Sequence, residues 1–391
     1  MKVVHNSELE ESSANWPNHM QRAIDLACSV LTTTPNPRVG CVITLNDTVL
    51  AEGWHTAAGQ AHAEAAALQN SQRDVTGGTA FVSLEPCNHQ GKTGPCSDAL
   101  IAAGVSRVVI AMSDPNPAVA GEGIKKLEAA GIEVFHLVDF QASARAINVG
   151  FLKRWEKGRP YVRMKMAMSL DGRTALANGE SKWISGAASR ADVQKLRAQS
   201  SAIITGVGTV LADDPKLTVR LEELGLSEAQ LLSNAQNLQR QPLRVVLDSK
   251  LQTPAVASIL SAEGAAVIYT GAAANIADYV HGDTVDIRAL DSSDSGVNLI
   301  SVLESLAADY ECNEVLLEAG PTLCGAFLKQ GLADELIVYI APRIFGSDAR
   351  PLLTLKGIES LADTFDFTIF EMQQIGDDIK VTLQPSTQTV S

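Results

Sequence analysis

The chain has little of several features that would define its class. No apolar run in its 391 residues approaches the roughly 18–20 residues needed to span a bilayer, and its first residues lack the apolar segment of a secretory signal. Positive charge is also scarce, since 31 Lys and Arg against 45 Asp and Glu give a net charge of −14. Nucleic-acid binding needs a basic surface that displaces counterions from phosphates. The charge balance therefore favours a small-molecule substrate.

Cysteine is sparse as well. The six cysteines are Cys28, Cys41, Cys87, Cys96, Cys312 and Cys324. In a long chain without a signal peptide, this number predicts a reducing, cytoplasmic location. A cluster of cysteines is then interpreted as a metal or catalytic site before a disulfide framework.

The pattern along the chain predicts two α/β domains. Residues 1–16 are expected to form a flexible leader. Strand and helix patterns alternate up to about residue 150, which is typical of a sheet with parallel members and helices on both faces. A basic stretch at 150–162 contains Gly158 and Pro160 and marks the boundary. We therefore predict domains at 17–150 and 151–391, with the polar insert at 222–241 as a surface excursion.

Four residues of the first domain form a constellation typical of hydrolytic zinc enzymes. His62 and Glu64 open a predicted helix, and Cys87 follows a predicted strand at 79–84. Cys96 opens the next helix after an eight-residue loop. Zinc prefers imidazole and thiolate ligands, and three protein ligands leave a fourth position for water. Because zinc lowers the pKa of bound water from about 15.7 to about 7, Glu64 is expected to accept and return the released proton.

The order H-x-E, then P-C and a second cysteine, is a signature of zinc deaminases that act on nucleobases. The chain departs from the usual spacing, because eight residues separate Cys87 from Cys96 where two are usual. We expect this longer loop to carry substrate contacts, with His89 and Lys92 as candidates. The alternative is a purely structural zinc site in which His89 is a fourth ligand.

Further motifs follow in order through nearly the whole chain. They are TTPNPRVGCVI (33–43), HAE (62–64), SLEPCNHQGKTGPC (83–96), DPNPAVAGEGI (114–124), MSLDGRTA (168–175), SKWIS (181–185), GTVLADDPKLTVR (208–220), LEAGPTLCGAFL (317–328) and DELIVYIAPRIFG (334–346). With these motifs, the sequence from about 17 to 385 resembles the bifunctional deaminase/reductase family of riboflavin biosynthesis.

The resemblance implies a fold and a two-step reaction. The first domain would be a cytidine-deaminase-like, three-layer α/β/α domain, and the second would be similar to dihydrofolate reductase. The first would use zinc to remove an amino group hydrolytically from 2,5-diamino-6-ribosylamino-4(3H)-pyrimidinone 5′-phosphate. The second would use NADPH to reduce the ribosyl side chain to ribityl.

The resemblance also assigns residues of the first domain. It implies that His62, Cys87 and Cys96 hold zinc and that Glu64 carries the proton. The implied substrate pocket consists of Asn36, His89, Lys92, Asp114 and Asn116. Side-chain amides can pair with a pyrimidine edge, and a lysine offers a point charge to a phosphate. Both asparagines lie in Pro-Asn-Pro triplets, so turn formation is their alternative role.

In the second domain, the resemblance implies NADPH contacts from Ala167, Trp183, Thr209, Asp213, Ser249, Gly320, Pro321, Thr322, Leu323, Cys324, Gly325 and Ala326. It implies substrate contacts from Ser181, Arg197, Leu217, Arg220 and Glu318. Judged from the residues alone, the segment around Gly320 fits a phosphate-binding helix N-terminus and an ordinary strand–turn–helix connection equally well.

The charged residues of that set have open roles. Arg197 and Arg220 are expected to hold the substrate phosphate with forked donors, and ordinary surface arginines are the alternative. Glu318 and Asp213 are both candidates for supplying a proton in the reduction. The sequence does not choose between them, and Lys165 and Asp171 lie nearby without an assigned role.

Two alternative functions compete with this hypothesis. One is a nucleic-acid-editing deaminase with a non-catalytic C-terminal module, which the acidic balance and the second half of the chain disfavour. The other makes the second half a dimerisation module, in which the apolar strand at 335–342 pairs across a two-fold axis. In either case we expect a homo-oligomer.

Overall fold

The computed structural model describes residues 1–88, 94–117, 119–277, 279, 281–293 and 296–386. The chain forms two compact units, which are described separately. The first comprises Met1–Lys157 and Leu226–Gln239, and the second comprises Gly158–Gly225 and Arg240–Ser391. Within these described ranges, no helix is both long and apolar enough to cross a membrane.

The first unit is built on a six-stranded sheet. Its strands are β1 (Lys2–Val4), β2 (Gly40–Leu45), β3 (Thr48–Trp54), β4 (Thr79–Val82), β5 (Arg107–Ile110) and β6 (Glu133–Leu137). Its helices are α1 (Trp16–Ala27), α2 (Ala63–Asn70), α3 (Cys96–Ala102), α4 (Glu122–Ala129), α5 (Gln141–Ala146), α6 (Val149–Lys157) and α9 (Glu228–Ser233). Short 3-10 helices cover Asn6–Glu8, Glu11–Ser13, Val138–Phe140 and Asn237–Gln239. The strand order is β1-β6-β5-β4-β2-β3, with β2 antiparallel to both neighbours and the other pairs parallel.

Alternating side chains of the strands fill two cores, one on each face of this sheet. Val108 and Ile110 of β5 pack in one core with residues of α2, α3 and α4. Val109, between them, packs in the other core with residues of α1, α5 and α6. Successive side chains of a strand point to opposite faces, so fully apolar strands need helices on both sides. This confirms the predicted three-layer α/β/α fold.

The first residues differ from the flexible leader that the sequence predicts. Strand β1 pairs in parallel with β6 at the edge of the sheet. Lys2 Nζ donates to Glu133 Oε1 at 2.8 Å, and His5 Nδ1 lies 3.1 Å from Asp139 Oδ1. Three residues are too few to show a strand periodicity, so the pairing partner alone defines this strand.

The second unit is built on a nine-stranded sheet with small additions. Its strands are β7 (Tyr161–Ser169), β8 (Arg173–Ala175), β9 (Ala202–Gly206), β10 (Leu243–Leu247), β11 (Ala266–Gly271), β12 (Val285–Leu290), β13 (Ser292–Ser293), β14 (Gly296–Val297), β15 (Glu314–Leu317), β16 (Glu335–Ala341), β17 (Arg350–Pro351), β18 (Phe367–Ile375) and β19 (Asp378–Pro385). Its helices are α7 (Ala187–Gln199), α8 (Val207–Asp213), α10 (Ser258–Ser261), α11 (Leu299–Ala308) and α12 (Pro321–Lys329). Short 3-10 helices cover Leu221–Glu223 and Leu361–Asp363.

The large sheet is mostly parallel. Its order is β12-β11-β10-β9-β15-β7-β16-β19-β18, and only the pairs that involve β19 are antiparallel. Helices α11 and α12 cover one face, and α7, α8 and α10 cover the other. The chain runs from β9 outward to β12 and then returns to place β15 between β9 and β7. Ligands of open α/β sheets bind beyond the carboxyl ends of the strands at such a reversal.

One expectation about the second half of the chain is wrong. Strand β16 covers most of the predicted strand at 335–342, but it pairs with β7 on one side and β19 on the other, so it offers no edge to a second copy. The polar insert at 222–241 is largely exposed at the surface, as predicted, and its part Leu226–Gln239 packs with the first unit. The side-chain amides of Asn234 and Asn237 anchor it, and a hydropathy pattern does not reveal such single contacts.

Candidate functional sites

Two strand-to-helix junctions of the first unit bring the predicted zinc ligands together. His62 is the N-cap residue of α2, with an extended backbone that turns its imidazole away from the helix. Cys96 is the first residue of α3, and Cys87 lies in the loop after β4. The backbone N–H of Cys96 donates to Cys87 Sγ at 3.5 Å, which joins the two cysteines at the helix N-terminus.

The three side chains have the geometry of a tetrahedral metal site. His62 Nδ1 lies 3.5 Å from Cys87 Sγ and 3.4 Å from Cys96 Sγ, and all three ligand atoms lie within 4.8 Å of one another. Zinc–sulfur bonds of about 2.3 Å and zinc–nitrogen bonds of about 2.1 Å at a tetrahedral angle separate nitrogen and sulfur by about 3.6 Å. The hydrogen bond from Cys96, followed by that from His62, holds the pKa of Cys87 below that of a free thiol. The residues therefore fit zinc with one position open.

Glu64 lies beside these ligands in the first turn of α2. Its side chain is only 3% exposed. Burial, and next the nearby Cys87 thiolate, raise the pKa of Glu64 to about 7. A general base or acid works best when its pKa is near the operating pH. The environment of Glu64 therefore suits proton transfer in both directions.

A pair formed by Asn36 and His55 stands next to the ligand set. His55 Nδ1 lies 2.9 Å from the carbonyl oxygen of Ala61, and its Nε2 lies 3.0 Å from Asn36 Nδ2. A carbonyl only accepts, so Nδ1 carries the hydrogen and Nε2 must accept from the Asn36 amide. Burial lowers the pKa of His55, which keeps the ring neutral, and the ring packs edge-on against His62 with centroids 5.2 Å apart. This arrangement fixes the orientation of the Asn36 amide.

His55 is a residue that the sequence analysis missed. A single histidine after a strand carries no spacing that links it to another group. Its position at the end of β3, beside the HAE turn, is the only sequence signal that could have suggested the contact.

Glu85 holds the backbone at Asp114 and was also missed. Its Oε2 accepts from the backbone N–H of Asp114 at 3.2 Å, while its buried Oε1 has no hydrogen-bond partner among the described residues. Asp114 Oδ1 in turn accepts from the N–H of Asn116 at 2.8 Å. Burial, and next the Glu85 carboxylate, raise the pKa of Asp114 to about 7. The Pro-Asn-Pro turn is therefore held by buried carboxyl groups.

Helix α4 reaches the cysteine loop through a glycine. A Cβ built on Gly123 would lie 1.9 Å from the carbonyl oxygen of Pro86, the residue before Cys87. No other residue type permits this approach without displacing one of the two backbones. His89 and Lys92 follow in the same loop but lie outside the described residues.

In the second unit, the predicted contacts gather at the carboxyl ends of the parallel strands. Glu318 and Gly320 follow β15, Thr209 follows β9, and Ser249 follows β10. The N–H of Glu318 donates to the carbonyl of Ile204 at 2.9 Å, which fixes the end of β15 beside β9. Helix α12 begins at Pro321 after Gly320 without a side-chain cap, as a ligand-binding helix N-terminus requires.

Arg197 and Glu318 differ from their expected arrangement. Arg197 Nε and Nη2 donate to the two Glu318 oxygens at 2.6 and 3.1 Å, and Nη1 donates to the carbonyl of Thr218 at 3.0 Å. The guanidinium is thus committed to the protein, which argues against its direct use as a phosphate clamp. Burial alone would raise the pKa of Glu318, but Arg197 and then Lys165 outweigh burial and lower it.

The remaining predicted residues of this unit vary in exposure. Ala167, Ser181, Thr209 and Ser249 are half-buried, Leu217 is buried in a left-handed backbone conformation, and Trp183 and Asp213 are exposed. Arg220 is half-buried and paired with Glu223 at 2.6 Å. Lys165, which the sequence left unassigned, is half-buried on β7 near Glu318, and desolvation lowers its pKa.

Both units match known protein families. Residues 15–112 match the cytidine and deoxycytidylate deaminase zinc-binding region, and residues 160–381 match the RibD C-terminal domain. The riboflavin biosynthesis protein RibD of Escherichia coli K12 is 48% identical over 363 residues, which is 92% of this chain and 97% of that protein. The chain belongs to the RibD family.

Solved structures of RibD proteins match most of the chain. Acinetobacter baumannii RibD superimposes with a TM-score of 0.84 at 43% identity, covering 94% of this chain and 98% of its own. The deaminase/reductase of Thermotoga maritima gives a TM-score of 0.81 at 30% identity, covering 95% and 99% of the two chains.

Membership in the RibD family establishes the function in outline. The protein is a bifunctional deaminase/reductase of riboflavin biosynthesis, with a zinc-binding deaminase domain and an NADPH-dependent reductase domain. The nucleic-acid-editing alternative has no support among these relatives.

Proposed function

We propose that His62, Cys87 and Cys96 hold the zinc ion of the deaminase and that Glu64 moves the proton. The observation that supports this assignment best is the mutual approach of the one imidazole nitrogen and two sulfurs, with a buried carboxyl group next to them. Zinc bound there would supply the positive charge that makes water a nucleophile near neutral pH.

Glu64 transfers the proton during the deamination. Its carboxylate oxygen takes a proton from the attacking water as the water oxygen bonds to the amino-bearing ring carbon, and the π electrons of that carbon's double bond to the ring nitrogen move onto the ring nitrogen. The same carboxylate oxygen then gives the proton to the amino nitrogen. The electron pair of the ring nitrogen re-forms the double bond as the bond to the amino nitrogen breaks, and ammonia leaves. The ring substrate is the 2,5-diamino-6-ribosylamino-4(3H)-pyrimidinone 5′-phosphate that the sequence resemblance implies.

The substrate pocket proposed for this domain contains Asn36, His89, Lys92, Asp114 and Asn116. Because His55 holds the Asn36 amide nitrogen, the Asn36 carbonyl oxygen is the atom that it can offer to a ring N–H group. The turn around Asp114 is held by Glu85, which supports a fixed position for Asn116. His89 and Lys92 remain predictions from the sequence.

For the reductase we propose NADPH contacts from Ala167, Trp183, Thr209, Asp213, Ser249 and residues 320–326. NADPH supplies the hydride that reduces the sugar carbon C1′. The substrate contacts are Ser181, Leu217, Arg220 and Glu318, with Arg197 orienting Glu318 rather than holding phosphate. Arg197 and Lys165 lower the pKa of Glu318 and so favour its ionised carboxylate, which carries no proton to donate. Lys165, whose pKa is lowered by burial, is therefore a better proton donor than Glu318.

Metal analysis of the purified protein tests the zinc assignment. Cys96→Ala is expected to lose the zinc that the native chain carries, and ammonia release from the pyrimidine substrate should stop with it. Cys28→Ala is the matched control, since Cys28 is an exposed cysteine of the same unit outside the cluster. A Cys96→Ala protein with full zinc content and full deamination would refute the proposed ligand set.

Coupled kinetics test the division of labour. Ammonia release and NADPH absorbance are followed together on the full chain, with and without a zinc chelator. Chelation should stop both signals, and adding the deaminated pyrimidine should restore NADPH oxidation alone. Ammonia release that persists without zinc would contradict the proposed deaminase site.

We also propose a cytoplasmic homo-oligomer with small-molecule substrates. The exposed edge strand β18 supports an interface there, because Ile369, Phe370 and Met372 are each more than 60% exposed. Exposed apolar residues on an edge strand, which has one free side, are a common association surface. All six cysteines are unpaired, in keeping with a reducing compartment. Sedimentation of Phe370→Glu against the native chain tests the interface, and an unchanged oligomer would contradict it.

A further inference from the structure

The segment Leu226–Gln239 is encoded within the second half of the chain but packs in the first unit. It opens with helix α9, whose N-cap Ser227 accepts from the N–H of Gln230 at 3.3 Å. A capped short helix followed by a 3-10 turn holds two asparagines, Asn234 and Asn237, at defined positions. We call this the inserted segment.

Asn234 is fully engaged with the first unit. Its side chain is 2% exposed, and its Oδ1 accepts from the backbone N–H of Leu31 at 2.6 Å. Its Nδ2 donates to the carbonyl of Gln230 at 2.8 Å and lies 3.5 Å from the carbonyl of Ser29. A buried amide that meets its partners in this way fixes the backbone that it contacts.

Asn237 makes a second anchor at a different point. Its Nδ2 donates to the backbone carbonyl of Thr56 at 2.6 Å. Thr56 directly follows His55, so this bond holds the chain immediately beyond the imidazole that orients Asn36.

The two anchors contact the chain near the two members of the Asn36–His55 pair. Leu31 is the first residue of the connection that leads to Asn36. The Thr33 hydroxyl closes a turn in this connection by donating to the backbone carbonyl of Asn36 at 3.0 Å. This connection lies between α1 and β2 and takes no part in the sheet, so the sheet does not fix it. The inserted segment therefore holds both the Asn36 side and the His55 side of the pair.

We infer that Asn234 and Asn237 are positioning residues of the deaminase, although Asn234 lies 203 positions after Leu31 and Asn237 lies 181 positions after Thr56 in the chain. Through the Leu31 and Thr56 backbones they set the place and orientation of the Asn36 amide that meets the ring. The inference rests on the proposed role of Asn36 in substrate binding. It makes the deaminase domain discontinuous in sequence.

The test uses the full chain and compares Asn234→Ala, Asn237→Ala and their combination with Gln236→Ala. Gln236 is an exposed residue of the same segment and is the matched control. Asn237→Ala loses the bond to Thr56, so the KM of deamination should rise about 3- to 10-fold; Asn234→Ala loses its contacts to Leu31, Gln230 and Ser29, so its KM should rise at least as much, with kcat falling less in both. Zinc content and reduction of the added deaminated pyrimidine should match those of Gln236→Ala.

A conservative variant separates positioning from general damage. Asn237→Gln keeps an amide donor for the Thr56 carbonyl, so its KM should rise less than that of Asn237→Ala. An unchanged KM in both alanine variants would overturn the inference, as would a loss of zinc that parallels the loss of activity. Asn36→Ala is measured alongside: if it leaves KM unchanged, the proposed role of Asn36 fails, and if only Asn36→Ala raises KM, the inference about the segment fails.

Discussion

The proposed metal centre around His62 and the charged cluster around Glu318 differ in how their charged groups are paired. In the first, the sulfur and nitrogen atoms lie close together in an arrangement that fits a cation, and burial raises the pKa of the neighbouring Glu64 to about 7. At Glu318 the protein has already supplied the counter-charges, Arg197 and Lys165. The first site gains its charge from a ligand, whereas the second carries its own. Removing one group should therefore affect activity at the first and stability at the second.

The largest expected effect is on deamination. Glu64→Gln should lower kcat of ammonia release by about 10²–10⁴, which is the usual contribution of a positioned acid–base group. The amide keeps the size of the side chain, so zinc content and the reduction of added deaminated pyrimidine should not change. Metal analysis and the two separate assays check this. Deamination at the native rate would remove Glu64 from its proton-transfer role.

The next effect concerns the stability that the Arg197–Glu318 ion pair gives the charged cluster. Arg197→Met leaves the buried Glu318 carboxylate facing Lys165 alone, and breaking a buried pair costs about 3 kcal/mol or more. Urea unfolding of the second unit measures this loss. The Arg197→Met/Glu318→Gln double variant should recover most of the stability while remaining inactive as a reductase. If the single variant is as stable as the native protein, the pair does not hold the cluster.

A smaller effect concerns the backbone behind the metal centre. Gly123→Ala pushes a methyl group against the Pro86 carbonyl and should destabilise the first unit by about 1–3 kcal/mol. Because Pro86 precedes Cys87, zinc should also dissociate faster in a chelator-competition assay. Glu122→Ala, an exposed neighbour on the same helix, should leave the rate unchanged. Equal rates for the two variants would show that Gly123 does not support the cysteine loop.

The smallest effect is at the half-buried Asp171 of the second unit. A hydrogen bond from the Ser169 hydroxyl, and then the N–H of Phe345, lower the pKa of Asp171 to about 2. A lowered pKa means stability that is present above the ordinary value of 3.8 and is lost as the pH falls towards 2. The acid-unfolding curve of Asp171→Asn should therefore be flatter than that of the native chain between those values. Superimposable curves would deny Asp171 this role.

The residues proposed to hold the metal are easier to recognise in the sequence than the charged cluster, for a physical reason. His62, Glu64, Cys87 and Cys96 lie at helix starts that their own local patterns mark, and their chemistry is unusual enough to stand out. Glu318 and Arg197 are common residue types, and only the long-range order of the sheet reveals that they are paired. The forked donors expected for phosphate are thus occupied by a carboxylate.

Other features were beyond reach because single contacts define them. His55 acquires its role from one carbonyl and one amide, and Asn234 from the backbone of Leu31. Neither bond leaves a periodic trace in the sequence. The layered fold, in contrast, follows from strand and helix patterns that repeat over many residues.

The position of β7 in its sheet has a consequence for the order of events during synthesis. All six strands of the first sheet are complete once residue 137 has been made. Strand β7, however, takes its neighbours from β15 and β16, and the Arg163–Glu314 ion pair joins residues 151 positions apart. Pairings of such long range are slow to form. During synthesis, the deaminase sheet can therefore fold while Val162, Met164 and Met166 of β7 are still exposed, because β15 and β16 have not yet been made. Exposed apolar strands promote aggregation, so we expect the reductase half to depend more on protection from aggregation.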